Sequence, residues 1–206
     1  MISEPTGTAL LYSGGMLADL HGKTSHGLLR YSKRFQILGV VDHKHAGQMS
    51  NEIVSNCQDD VPIFSDINKA IEGLGKKPDF LVIGLSFHGG QLPESHRGDV
   101  KQALKAGIHV VSGLHQLLGD DPDFAEIAKE FGSIIYDIRR PKETKDLSFW
   151  SGKVMDLETP RIAVLGTDCA LGKRTTCQFL IQACNESNIK AEIIYTGQTG
   201  FLQGFK

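Results

Sequence analysis

Short apolar runs alternate with amphipathic segments along the first 140 residues. Thr8–Ser13 (TALLYS) and Gln36–Val41 (QILGVV) read as buried strands, and Val61–Phe64 and His109–Val111 as shorter ones. Asp79–Leu85 (DFLVIGL) is the strongest strand, apolar on both faces as a central parallel strand must be. Ser133–Tyr136 closes the series. Between them lie helical patterns. Thr24–Ser32 has Thr24 or Ser25 as its expected N-cap, Ile67–Leu74 follows the capping pair Ser65-Asp66, and Gly98–Ala106 ends at Gly107. A fourth runs from the Asp120–Asp123 cap to Phe131 and stops at Gly132. Alternating strand and helix predicts a doubly wound parallel sheet over residues 1–140.

In such sheets ligands bind beyond the carboxyl ends of the strands. The longest candidate loop there is Ser86–Arg97 (SFHGGQLPESHR), more than a simple connection needs. Gly89-Gly90 permits close backbone approach, and Ser86, His88, His96 and Arg97 offer polar groups. Arg97 is a natural partner for a carboxylate or a phosphate, because its planar fork binds either bidentately. His115, after the next strand, is placed to face the same crevice as His88, and either imidazole could act as a base near neutral pH. Asp42, at the end of the second strand, stands where dinucleotide folds hold a ribose hydroxyl, or serves as a turn residue. The first turn lacks G-x-G-x-x-G. His43-Lys44-His45 reads as a solvated loop.

Residues 141–160 are charged and proline-flanked and read as a linker. After them the pattern changes. The apolar run Ile162–Leu165 enters a glycine-bracketed loop, Gly166 to Gly172, followed by Lys173, Arg174, Thr175 and Thr176 and a helical face of Cys177, Leu180, Ile181 and Cys184. Strand, glycine loop, lysine, hydroxyl and helix, in that order, make a phosphate cradle. Inward backbone N–H groups and the helix N-terminus meet the anion, and the lysine adds a full charge. Thr167 to Leu171 separate the two glycines, one residue more than in G-x-x-x-x-G-K-[ST]. Arg174 stands where the metal-holding hydroxyl belongs, and Thr175 is turned from it by about 100°. Phosphate binding is expected, through Gly166, Thr167, Asp168, Gly172, Lys173, Arg174, Thr175 and Thr176; Mg²⁺-dependent hydrolysis and a metal site are not. Ala191–Tyr195 reads as the following strand, leading to Thr196–Gly200 (TGQTG). Residues 161–206 are thus expected to be the first βαβ part of a P-loop domain, whose remainder would have to complete its sheet.

Composition narrows the partners. A charged fraction of 22% and a net charge of −2 give no reason to expect nucleic acid or an anionic membrane. No apolar stretch approaches the roughly 18 residues that span a bilayer. Four cysteines (57, 169, 177 and 184) without C-x-x-C spacing suit a reducing cytoplasm.

GTDCALGKRTT with TGQTG downstream, preceded by KTSHGLLRYS, SFHGGQLPESHR and AGIHVVSGLH, resembles a bacterial and archaeal family long catalogued as a domain of unknown function. Its members join a Rossmann-like domain to a P-loop domain, and those characterised are D-glutamate N-acetyltransferases acting beside a racemase-type partner. The resemblance implies acetyl-CoA as the phosphorylated cofactor, D-glutamate or a similar acidic amino acid as the small-molecule substrate, and a homo-oligomer. On that reading Arg97 and Ser86 would bind the substrate and His88 or His115 would serve as catalytic base. The loop is also similar to the G-T-D-x-x-x-G-K-T of dethiobiotin synthetase, sharing Gly166, Thr167, Asp168, Gly172 and Lys173. The alternatives are therefore an ATP- and Mg²⁺-dependent ligase or kinase and a non-catalytic nucleotide- or CoA-binding module.

Overall fold

The computed structural model describes residues 4–168 and 171–205. Six parallel strands form one sheet in the order β3-β2-β1-β4-β5-β6: β1 (Gly7–Tyr12), β2 (Phe35–Val41), β3 (Ile63–Phe64), β4 (Phe80–Ile83), β5 (His109–Ser112) and β6 (Ile135–Asp137). The order reverses between β1 and β4, which pair directly with Leu10 opposite Leu81 and Tyr12 opposite Ile83. This makes the expected doubly wound sheet, with its topological switch point at the carboxyl ends of β1 and β4.

Alternation along the strands divides the core into two layers. Leu10, Tyr12, Leu81, Ile83 and Val110 face α3 (Ile67–Leu74), α4 (Glu94–Lys105) and α5 (Pro122–Phe131), meeting Ile67, Ala70, Val100, Leu104 and Phe124. Ala9, Leu11, Val82 and Val111 face the other way, towards Leu28 and Leu29 of α1 (Lys23–Arg30). All four β4 residues are buried, as its run of apolar residues requires. Asp66 caps α3 by accepting from Lys69 N, Asp121 caps α5 by accepting from Asp123 N, and Gly75 and Gly132 end those helices at positive φ.

Several sequence expectations are corrected. Thr24 and Ser25 do not cap α1: Gly22 stands at its N-cap, and both hydroxyl residues are buried inside the helix. A short helix, α2 (Ser50–Ile53), was not anticipated. α4 begins at Glu94 after Pro93, so His96 and Arg97 lie on a helix and the loop leaving β4 is shorter than the sequence suggested.

The chain divides into two compact units, 1–139 with 195–206, and 140–194. The tail of the second sequence region thus packs in the first unit. There α7 (Gln198–Gln203) lies on α1, with Leu202 buried among the residues of the second layer. Gln203 Nε2 donates to the Gly27 and Tyr31 carbonyls at 2.7 and 3.0 Å, satisfying the open end of α1. Arg34 lies over the Phe201 ring at 4.1 Å, and Tyr31 stacks on Phe205.

The unit 140–194 holds α6 (Lys173–Glu186), none of whose residues is buried. The strands expected at 162–165 and 191–195 do not form. Ile162, Leu165 and Ile194 are 81, 86 and 75% exposed, so among the described residues no sheet partner or covering layer supplies the burial that would hold them extended. Among the described residues no helix is long and apolar enough to cross a membrane.

The switch point depends on a close approach. Gly84 follows β4, and a Cβ there would overlap Ser25 Oγ and lie 3.2 Å from the Tyr12 carbonyl oxygen. Ser25 Oγ in turn shares a 2.8 Å hydrogen bond with Ser13 Oγ and donates to the Gly84 carbonyl. Gly84→Ala must push α1 away from the sheet. Urea unfolding should show a loss of about 1–3 kcal/mol, the usual cost of overpacking, with part regained in the Gly84→Ala, Ser25→Gly double variant.

Candidate functional site at the carboxyl edge of the sheet

β1 ends in Ser13-Gly14-Gly15, and the glycines take φ +50° and +87°. Both also abut imidazole rings. A Cβ on Gly14 would sit 2.7 Å from His96 Nδ1, and one on Gly15 would overlap the His43 ring. Glycine is required twice over, by conformation and by space. Asp42, fully buried at the end of β2, fixes this turn. Its Oδ2 accepts from Gly15 N and Leu17 N at 3.0 and 2.9 Å, and its Oδ1 from Lys44 N, His45 N and His45 Nδ1. Of the two roles open to Asp42, the geometry supports the turn: a ribose hydroxyl would have to displace one of these donors.

Behind the glycine turn lies a polar cluster inside the core. The Tyr12 hydroxyl donates to Asp99 Oδ2 at 2.6 Å and is 2.8 Å from His96 Nδ1. Tyr12 is fully buried and His96 is 8% exposed, with Phe87 packed 5.0 Å from the imidazole centroid. Burial, reinforced by the bond to Asp99, pushes the Tyr12 phenol far above its usual range. Burial also holds His96 below the ordinary histidine value; Asp99 opposes that shift and His43 adds to it.

The loops after β4 and β5 are tied together. Gly90 O accepts from His115 N and Gln116 N at 2.9 and 3.1 Å, and Gln116 Oε1 accepts from Leu92 N. Gly90 itself, at φ +66°, is pressed against the His115 ring. His115 is exposed and thus stands beside the turn carrying His88, whose side chain lies outside the described atoms. Ser86 exchanges backbone contacts with His21, accepting from Nδ1 at 2.7 Å and donating its N–H to the His21 carbonyl. His115, Ser86 and the His88 backbone therefore share one edge with the Tyr12 cluster.

Arg97 does not join them. Its fork grips Asp121, Nη1 to Oδ2 at 2.7 Å and Nη2 to Oδ1 at 3.0 Å, and reaches Asp123, while the guanidinium lies 4.3 Å over the Phe124 ring. The carboxylate it binds is the protein's own, joining α4 to α5, and this pairing holds Asp121 well below the usual carboxylate range. Two cavities at the surface of this unit, about 210 and 300 Å³, run along β2 and β3 and contain none of these residues.

Tyr12 and Asp99 escaped the sequence reading. Two signals were available: a tyrosine ending a buried strand must find a partner for its hydroxyl, and Asp99 is three positions from His96 on one helix.

In the unit 140–194, Gly172 at φ +84° is the N-cap of α6 and Lys173 is its first residue. Lys173 Nζ turns back to donate to the Asp168 carbonyl, and its stem crosses Gly166, where a Cβ would lie 3.1 Å from Lys173 Cδ. Thr176 Oγ1 donates to the Gly172 carbonyl at 3.1 Å, while Arg174 and Thr175 are half-buried. Cys169, within the loop, lies outside the described residues.

A Rossmann-like parallel sheet followed by a glycine loop that opens a helix defines the class of α/β protein. Residues 43–141 match the Rossmann-like N-terminal domain of unknown function DUF1611_N, and residues 148–206 match its P-loop partner, the DUF1611 C-terminal domain. The chain belongs to this family. It is 34% identical over 122 residues to a D-glutamate N-acetyltransferase of Tritonibacter scottomollicae, and 31% identical over 121 residues to one from a Pseudoalteromonas species. Each alignment covers 59% of this chain and 35% of the relative, so the chain spans about a third of their length. A solved DUF1611 structure from Anabaena variabilis superposes with a TM-score of 0.84 at 34% identity, over 97% of this chain and 56% of that one.

Two predictions follow from the site. Arg97→Leu should lower stability by about 1–3 kcal/mol in urea, the range for hydrogen bonds to charged groups, and leave ligand affinity at the sheet edge unchanged by calorimetry. Because folding lowers the His96 pKa, the unfolded chain binds the proton more readily. The stability this involves is complete above about pH 6.5 and is lost as pH falls from there towards the lower folded value. Midpoints of thermal unfolding across pH 5–8 should fall towards the acid end, and less steeply in His96→Gln.

Proposed function

We propose that the chain is part of an N-acetyltransferase that moves the acetyl group of acetyl-CoA to the amino group of D-glutamate or a similar acidic amino acid. The observation that carries this reading is the similarity to two D-glutamate N-acetyltransferases over 59% of the chain. The cradle fits the cofactor's phosphates in chemistry. α6 offers its N-terminal N–H groups, and Lys173 would exchange the neutral Asp168 carbonyl for an anion. Gly166, Thr167, Asp168, Gly172, Lys173, Arg174, Thr175 and Thr176 would hold them. Transfer from a thioester needs no phosphate hydrolysis, and this agrees with Arg174 where a metal-holding hydroxyl would stand.

The amino acid is assigned to the carboxyl edge of β1 and β4, where ligands of such sheets bind. His88 and His115 remain candidates for contact with it.

Calorimetry of the intact native protein should show acetyl-CoA binding that weakens at least tenfold in Lys173→Ala, and thiol release should require D-glutamate. Binding of Mg·ATP with none of acetyl-CoA would instead favour a ligase or kinase.

A further inference from the structure

A hydroxyl has one proton to give, and the Tyr12 hydroxyl gives it to Asp99 Oδ2 at 2.6 Å, since a carboxylate can only accept. The 2.8 Å contact with His96 must then run the other way, from Nδ1–H to the phenol oxygen. That settles the tautomer: in the neutral ring Nε2 carries the lone pair. The groups around the ring favour the neutral form. Tyr12 from β1, Asp99 from the same helix and His43 from the end of β2 are the titratable neighbours, and Phe87 from the β4 loop supplies an apolar face. Only Asp99 favours the charged imidazolium, and burial with His43 outweighs it. The ring is also held in place, its Nδ1–Cε1 edge against Gly14 at the switch point.

We propose that His96 is the base of the acetyl-acceptor site, with Nε2 as the accepting atom and Tyr12 and Asp99 as positioning residues. This rests on the acetyltransferase reading. The acceptor arrives as an ammonium and must lose a proton before it can attack. Nε2 takes that proton, and the charge so formed on the ring is shared through Nδ1–H to the phenol and on to Asp99. The freed amine lone pair forms the bond to the thioester carbonyl carbon, and the carbon–sulfur bond breaks. The departing thiolate takes the second proton shed by the new amide nitrogen, and His96 returns its own to solvent. The ligand class this base serves is a primary amine. The site differs from one built on His115 in being withdrawn from water, so that its base stays neutral below the ordinary histidine pKa.

The test uses the intact native protein labelled with ¹⁵N-histidine. The His96 spectrum should show a protonated Nδ1 and an unprotonated Nε2, and adding D-glutamate should shift the Nε2 resonance. An Nε2–H tautomer overturns the proposal whatever the enzyme does. In turnover assays His96→Gln should lower kcat by roughly 100- to 10,000-fold with the KM for acetyl-CoA unchanged; wild-type kcat in that variant also overturns it. Asp99→Asn removes the one charge that raises the His96 pKa, so the acid limb of the kcat/KM profile should move to lower pH. A role confined to packing would leave the limb in place. A wild-type protein that releases no thiol sinks the acetyltransferase reading alone. His96 is then decided by the spectrum: an Nε2 resonance that small amino acids shift supports the site, and one that none of them shifts rejects it.

Discussion

Asp42 is a carboxylate with no exposed surface, and a buried charge is tolerable only when it is saturated with hydrogen bonds. Five donors converge on it, four of them backbone N–H groups of the turns that follow β1 and β2 and the fifth the imidazole of His45. The constraint reaches further than the two loops. Holding Gly15 N and Leu17 N on Oδ2 sets the path of Gly14-Gly15, which His96 and His43 crowd from either side. Displacing the carboxylate would leave the two buried donors, Gly15 N and Leu17 N, unpaired at once, each costing about 1–3 kcal/mol. The edge of this sheet is therefore rigid where a ligand would meet it.

The same constraint separates this unit from nucleotide-binding sheets of equal strand order. There the acid after the second strand is spent on a ribose hydroxyl; here it is spent inside the protein. What the sheet offers instead is a polar core cluster. Tyr12 and His96 sit among apolar residues, with Asp99 half-buried beside them, because each satisfies another. The cost is that both carboxylates and the phenol are committed, leaving the imidazole as the group with chemistry to spare.

Much of this was legible from the residues. β4 declared itself through an apolar run on both faces, and α3 and α5 through Asp66, Asp121 and their terminal glycines, because burial and capping act locally. The site was legible only in part. His96 and Arg97 looked like loop residues, since Gly89, Gly90 and Pro93 suggested an irregular stretch; Pro93 is in fact the N-cap from which α4 starts. Once on a helix the two side chains point apart, His96 to Tyr12 and Arg97 to Asp121, and no local signal distinguishes those destinations. The strands at 162–165 and 191–195 failed for the converse reason. Their pattern is correct for strands, but a strand's stability belongs to its neighbours.

The phosphate loop turns on a balance of partners. Lys173 donates to the Asp168 carbonyl, so an incoming phosphate competes with a neutral acceptor already in place. Either bond is charge-assisted from the lysine side, but a phosphate adds an opposite full charge that the carbonyl lacks, so on the proposed reading the exchange favours the phosphate provided the loop keeps its path. Two features keep that path. Gly172 at φ +84° places the α6 N–H groups at the loop's end, and Thr176 returns its hydroxyl to the Gly172 carbonyl. That last bond engages the Thr176 hydroxyl within the helix, and Arg174 adds positive charge where a cation would otherwise be needed. On the proposed reading, a loop that carries its own positive charge suits a phosphorylated ligand that is held whole, since in a transfer from a thioester the phosphates remain intact throughout.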